Sequence, residues 1–361
     1  MDSQKHSRPT AAIHLALATL RFCPSKWTFA APAKLAGMSF LGKCKAMRNA
    51  KYQQIIDWNK RQGDHRRLGV ELSYEIETLM TDASALTDSS PKFVEFIPIR
   101  LVTILEVFLR GVIAELIDGK EIYFERAEKL TKGAKIDLAF TAHINQRELT
   151  VGDFVAHAVS LNHVDSIIST LDTLLIDFPA KLKVIHPRWV EEEANWPFTP
   201  IIESYDQIMS SLARLYEVRH VLTHELPSSP FLDPIEVPTL AAAAKSFITA
   251  TDWVVVEALH GAVPRTQMGM NLSMGGELHD EEAQLAAAMD EATKLHGIDL
   301  KALTELQNRW IEWADAQANL VASQVAEGSM YPMVWASERA TIARERHEQV
   351  KRLISEWMDN H

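Results

Sequence analysis

Residues 201–224, Ile201-Ile-Glu-Ser-Tyr-Asp-Gln-Ile-Met-Ser-Ser-Leu-Ala-Arg-Leu-Tyr-Glu-Val-Arg-His-Val-Leu-Thr-His224, decide the fold class. Ile201, Tyr205, Ile208, Leu212, Leu215 and Leu222 recur at helical steps, the stripe of a helix that faces a core. Arg219 occupies the missing step. An arginine on such a seam loses much of its water, so it needs a carboxylate, a carbonyl cluster or a ligand phosphate. Pro227, two serines and Pro230 follow, so the helix is expected to end near Thr223 or His224. An imidazole at such a terminus reaches solvent, titrates near neutral pH and can transfer protons.

Spacing alone does not single this pair out. With 19 arginines and 14 histidines in 361 residues, chance predicts about two pairs with four to six residues between them. The chain holds Arg8/His14, Arg214/His220 and Arg219/His224. Context separates the last: an arginine on the apolar seam, the polar His220 directly after it, and a histidine before a proline-bearing break.

The rest of the chain repeats the helical period. Only 14 glycines and few runs of β-branched alternation stand against a 47% hydrophobic content, which predicts an all-α protein with material for two cores. Helices are expected at about 93–118, 150–176, 201–223, 239–260, 280–295, 300–326 and 338–358.

With these residues in place, positions 70–262 resemble the HEPN family, whose signature is Arg, usually a polar residue, three to five more residues, then His. The apolar run 93–118 is similar to that family's long first helix, and Leu149-Thr-Val-Gly-Asp-Phe-Val-Ala-His-Ala-Val-Ser-Leu-Asn-His163 to a segment recurring after it. Membership implies a helical bundle and a metal-independent endoribonuclease, commonly a toxin or antiphage effector, that works as a homodimer on RNA. It implies His224 moving the proton of a ribose 2′-hydroxyl, Arg219 stabilising the phosphoryl charge, and His220 orienting substrate or partner groups. Some family toxins carry a tyrosine two residues after the motif histidine for inactivation by nucleotide addition; here that position is Leu226.

Other readings compete. Arg219 can instead pair with an internal carboxylate, Glu106 being a candidate, and serve a non-catalytic interaction or sensor protein. His220 and His224 have the spacing of two metal ligands on one helical face, with Glu217 and Glu225 near, but no third ligand is evident, so no metal and no cofactor is expected.

Charge is divided unevenly. Residues 1–68 hold 13 Lys/Arg against 3 Asp/Glu, a net of +10; the whole chain is at −11, which leaves −21 for the remainder. A basic, partly disordered leader on an acidic body suggests nucleic-acid contact through the leader or its docking on the body. Both cysteines, Cys23 and Cys44, fall there and suggest a reducing compartment. Residues 11–20 are apolar behind Lys5 and Arg8 but run into Arg21 without a cleavage site, and no run has membrane length. The expectation is a cytoplasmic protein.

A Gly/Met/Pro-rich stretch, 263–279, reads as a linker between a domain at 69–262 and an accessory domain at 280–361. In the latter, Leu306-Gln-Asn-Arg-Trp-Ile-Glu-Trp-Ala-Asp315, Glu327-Gly-Ser-Met-Tyr-Pro332 and the Thr341/Arg344 element resemble the lysozyme-inhibitor LprI-like family. Exported members carry cysteines near Ala318 and Ser337, so this resemblance implies a cytoplasmic version that binds a cognate inhibitor or trigger protein. Trp310, Trp313, Tyr331, Trp335 and Trp357 are expected to pack as core.

Overall fold

The computed structural model describes residues 52–61, 69–87, 91–131, 138–146, 148–225 and 227–360. Arg8, His14, Cys23, Cys44 and most of the basic leader lie outside the described residues, as does Leu226. The fold is all-α; among the described residues a single bridge, Trp189 with Val263, is the one β-type contact. The chain divides into two units: one runs to Arg188 and includes Asn195–Ala262, the other joins Trp189–Ala194 to Val263 and everything after it.

The first unit contains α1 (52–61), α2 (Gly69–Thr87), α3 (Phe96–Gly119), α4 (Glu121–Ala127), α5 (Leu138–Asn145), α6 (Val151–Ala158), α7 (Val164–Leu175), α8 (Phe178–Val184), α9 (Tyr205–His224) and α10 (Val237–His260). Helix α3 is apolar around most of its circumference, burying Leu101, Leu105, Phe108, Leu109, Val112 and Ile113. A helix of that kind can only sit at the centre, and α2, α4, α6, α9 and α10 pack around it. Helix α6 approaches it closely, because a Cβ on Gly152 would stand 2.4 Å from the Ala114 carbonyl oxygen. Thr150 and Asp153 form a reciprocal capping box at its start, and Asp153 also accepts a hydrogen bond from the buried Asn59 of α1 at 3.0 Å.

One long helix is expected at 150–176, yet two form. Val159 is extended after α6, its amide donating to the Val155 carbonyl, and His163 is extended again before α7 begins. Helix α9 begins at Tyr205 instead of 201, since the extended Ser204 precedes it and the Ile201 amide donates to the Ile185 carbonyl. Its connection to α10 is held by Arg214, which donates to Glu236 and Glu217 and to the Phe231 carbonyl, with its guanidinium 4.7 Å over the Phe231 ring.

The second unit has three helices, α11 (Gln267–Thr293), α12 (Leu300–Ala322) and α13 (Tyr331–Asn360). The expected linker is therefore corrected: residues 267–279 form the first half of α11. Thr266 caps it by accepting from the Gly269 amide at 3.0 Å, and α11 packs along α13. Gly275 and Gly276 face open space, so packing outweighs a helix cost of about 1 kcal/mol per glycine. Small side chains let the helices approach: Ala288, Ala292, Ala314, Ala318, Ala340 and Ala343 are buried. Arg339 is buried here too, donating to Asp315 at 2.9 Å, pairing with Glu282 at 3.3 Å and lying 4.9 Å over the Trp310 ring.

Trp310 and Trp335 pack against these cores. Trp313 does not; it is 54% exposed. Leu306 and Leu320, one heptad to either side on α12, are exposed with it, which corrects the expectation that the whole aromatic set is core. Among the described residues no helix is long and apolar enough to cross a membrane.

Candidate functional site

The three residues singled out in the sequence sit on the last two turns of α9. The buried side of that helix is formed by Leu212, Leu215, Tyr216, Val218 and Val221. Val218, not Arg219, takes the core step. The apolar stripe drifts around the helix because steps of three and four do not divide 3.6 evenly, so the arginine falls at the edge of the seam, with 30% of its side chain exposed.

Across from it stands Glu106 of α3, 29% exposed, with one carboxylate oxygen 3.9 Å from the Arg219 Nη2. That is an ion pair without a hydrogen bond, which needs about 3 Å. Arg110, one turn beyond Glu106, is held elsewhere: its Nη1 donates to the Ala156 carbonyl. Burial lowers the Arg110 pKa and the nearby Glu106 charge opposes that. Tyr216 completes the group. Its ring is buried, its hydroxyl is enclosed without a hydrogen-bond partner, and burial, reinforced by Glu106 and opposed by Arg219, pushes its pKa well above the usual tyrosine range. Tyr216 and Arg110 carry no recognisable motif; a tyrosine three residues before the arginine, on the buried face of the helix, is the signal that could have drawn attention to the first.

His220 and His224 are exposed and adjacent, their ring centroids 5.0 Å apart, as expected for positions four apart on a helix. His220 Nε2 is 3.9 Å from Glu225. Thr223 turns its hydroxyl back to the carbonyls of Arg219 and His220, a back-bond onto the preceding turn of the helix. The rival pair Arg214/His220 is not a site of this kind, since Arg214 is spent on Glu236, Glu217 and Phe231. A cleft of about 380 Å³ lined by Ser210, Ser211, Arg214, Asp233 and Glu236 also lies along α9, without Arg219 or His224 in its wall. Among the described residues no group of three or more His, Cys, Asp or Glu is placed to hold a metal ion.

Chemically the end of α9 offers an anion-binding guanidinium and two solvent-reachable imidazoles. Their directions matter. At about 100° per residue, His224 points about 140° away from Arg219 and His220 about 100°.

The comparisons with known proteins bear on the second unit. Residues 262–350 match the lysozyme inhibitor LprI family. The match covers about a quarter of the chain, including all of α11 and α12 and much of α13. In this LprI-like unit Ala318 of α12 is fully buried. The match does not reach the helices around Arg219, for which no HEPN match was found. No curated protein and no solved structure matches the chain.

Proposed function

We propose that this protein is a metal-independent endoribonuclease of the toxin or antiphage-defence type, acting through Arg219 and His224. The observation that carries the proposal is the exposed imidazole pair His220/His224, the first directly after Arg219 and the second just over one turn beyond it, beside a guanidinium that keeps nearly a third of its side chain exposed. His224 takes the proton of a ribose 2′-hydroxyl as that oxygen attacks the adjacent phosphorus. The bond to the 5′-oxygen breaks, the leaving oxygen receives a proton from a second imidazole, and a 2′,3′-cyclic phosphate remains. Arg219 stabilises the added charge on the phosphoryl oxygens, and His220 orients the substrate.

The 140° divergence of Arg219 and His224 supports a homodimer as the working form. A single straight helix does not aim both at one phosphorus, whereas two copies of α9 brought together supply arginine and histidine from opposite sides. The LprI-like unit is, in this proposal, the docking module for a cognate inhibitor or trigger protein. Leu306, Trp313 and Leu320 on α12 are the apolar side chains such a partner covers.

The test is growth on expression. The wild-type chain arrests growth and degrades RNA, while Arg219→Ala and His224→Ala chains accumulate harmlessly; equal toxicity of all three, or none in the wild type, rejects the proposal. The pairing of Arg219 with Glu106 favours a second reading, a non-catalytic HEPN-like interaction or sensor protein. Under that reading neither substitution changes RNA turnover, and Arg219→Ala lowers stability instead.

A further inference from the structure

We propose that the outward face of α12 is a seam for a second copy of this chain, paired antiparallel about Ile311. The inference deepens the docking role given above to the LprI-like unit and rests on that reading at one point: the inhibitor or trigger protein reaches this face by displacing the second copy.

The seam is read from spacing and exposure. Ala302, Leu306, Arg309, Trp313, Ala316 and Leu320 follow one another at steps of four and three, and every one is exposed. At about 100° per residue they fall within a stripe about 80° wide, on the side of α12 away from Leu303, Ala314, Ala318 and Ala322, which are buried. Strict alternation of four and three is a repeat of about 3.5 residues, the period that keeps one face turned to a neighbouring helix along its whole length. Packing on α13 uses the buried side, so a second stripe has no occupant within the unit: Leu306 and Trp313 are each 54% exposed and Leu320 is 67% exposed.

The order of side chains selects the occupant. In an antiparallel pair centred on Ile311, Ala302 meets Leu320 of the second copy, Leu306 meets Ala316, and Arg309 meets Trp313. A small side chain then faces a large one, or a cation faces an indole, in every layer, and twofold symmetry repeats each contact. Charge agrees with size. Glu312 is exposed on the flank of the seam, and the pairing sets it level with Arg309 of the other copy, so that two arginines alternate with two glutamates. Arg309 is 74% exposed and bonded to Glu305 within its own helix, a surface pair of little worth that it can exchange. A parallel pair does the opposite: Arg309 meets Arg309, Trp313 meets Trp313, and each alanine meets an alanine, which gives like-charge repulsion and gaps.

The experiment follows the pairing in the full chain. Arg309→Glu sets two acids against each other across the seam and Glu312→Arg sets two bases, so each variant alone weakens self-association by about tenfold or more in sedimentation velocity. An equimolar mixture of the two variants restores it, because every facing pair is then opposite in charge. Both positions are exposed, so the melting temperature of the isolated chain stays at the wild-type value. Nitroxides at Lys301→Cys, in a chain whose Cys23 and Cys44 are replaced by serine, stand about 30 Å apart along the pair, against about 10 Å in a parallel one. A wild-type chain that is monomeric at about 100 μM, unchanged association in the variants, no recovery in the mixture, or the short distance overturns the inference. A different protein seated on an otherwise unpaired α12 overturns it too and leaves the docking role standing. RNA cleavage is scored separately: a chain that pairs through α12 and cuts no RNA removes the ribonuclease reading alone, and one that cuts RNA without pairing there removes this inference alone.

Discussion

Glu106 of α3 and Arg219 of α9 face each other at 3.9 Å, each with close to a third of its side chain in solvent. A pair this loose and this hydrated is a weak tie between helices. Ion pairs of its kind contribute about 0–1 kcal/mol, so Glu106→Ala is expected to lower unfolding stability by no more than about 1 kcal/mol in urea titrations. A loss above about 2 kcal/mol would mean that the pair is a structural strut and Arg219 is not free to serve a ligand.

Gly152 marks a close approach of two helices in the first unit, and it falls in the segment 149–163 that the sequence marked out. Its missing side chain lets α6 lie on α3, with the Ala114 carbonyl 2.4 Å and the Ala114 Cα 2.8 Å from where a Cβ would be. Both obstacles are backbone and cannot rotate away. Gly152→Ala is expected to cost about 1–3 kcal/mol, read as an earlier unfolding transition by circular dichroism. Gly275→Ala, whose Cβ meets nothing, is the control and should stabilise α11 slightly.

In the LprI-like unit Arg339 shares its charge between Asp315 and Glu282. Its own side chain is 6% exposed while the two carboxylates are nearly half exposed. Either carboxylate can therefore compensate for loss of the other. Asp315→Ala and Glu282→Ala are each expected to cost about 1 kcal/mol, and the double variant about 3–5 kcal/mol, the cost of a buried charge left alone. Strict additivity in a double-mutant cycle would show that the two carboxylates do not share the guanidinium.

Acid should loosen both units in a defined order of cause. Burial acts to raise the pKa of Glu191, but hydrogen bonds from the backbone amides of Arg265 and Thr266 and from the Thr266 hydroxyl outweigh it, so the net shift is downward. Hydrogen bonding from Arg214 likewise holds Glu236 below the usual range. A carboxyl whose folded pKa is depressed adds stability above its unfolded value, about 4.3, and loses it as pH falls through the folded value. Unfolding of the LprI-like unit should therefore grow more favourable below about pH 4.3, and Glu191→Gln should flatten that dependence. An unchanged slope in the variant would assign the acid sensitivity to other groups.

How much of this was legible in sequence follows from which forces act locally. The helix bearing Arg219 and its end at His224 could be read from apolar spacing and from Pro227, because a stripe and a breaker are local signals. Which residue fills the seam could not: Val218 and Arg219 are neighbours, and only the drift of the helix against α3 puts the first inside. The glycines and methionines of 263–279 look like a linker, but their fate is set by α13, whose residues lie some sixty positions later. Glu106 was nameable as a partner for Arg219 once α3 and α9 were expected to pack. The unpaired hydroxyl of Tyr216 was not, since hydrogen-bond satisfaction is a property of three-dimensional surroundings and leaves no periodicity behind. The exposed Trp313 misled for a related reason: its size argues for burial, while its position on α12 turns it outward.

Incubation of the purified full-length chain with RNA in excess EDTA, followed by analysis of the new ends, tests the central claim most directly. Cleavage should persist in the chelator, leave 2′,3′-cyclic phosphates, and fall by about a hundredfold or more in Arg219→Ala and His224→Ala, the scale at which removing a single charge-stabilising donor acts. Absence of cleavage, its loss in EDTA, or wild-type rates in both variants would contradict it.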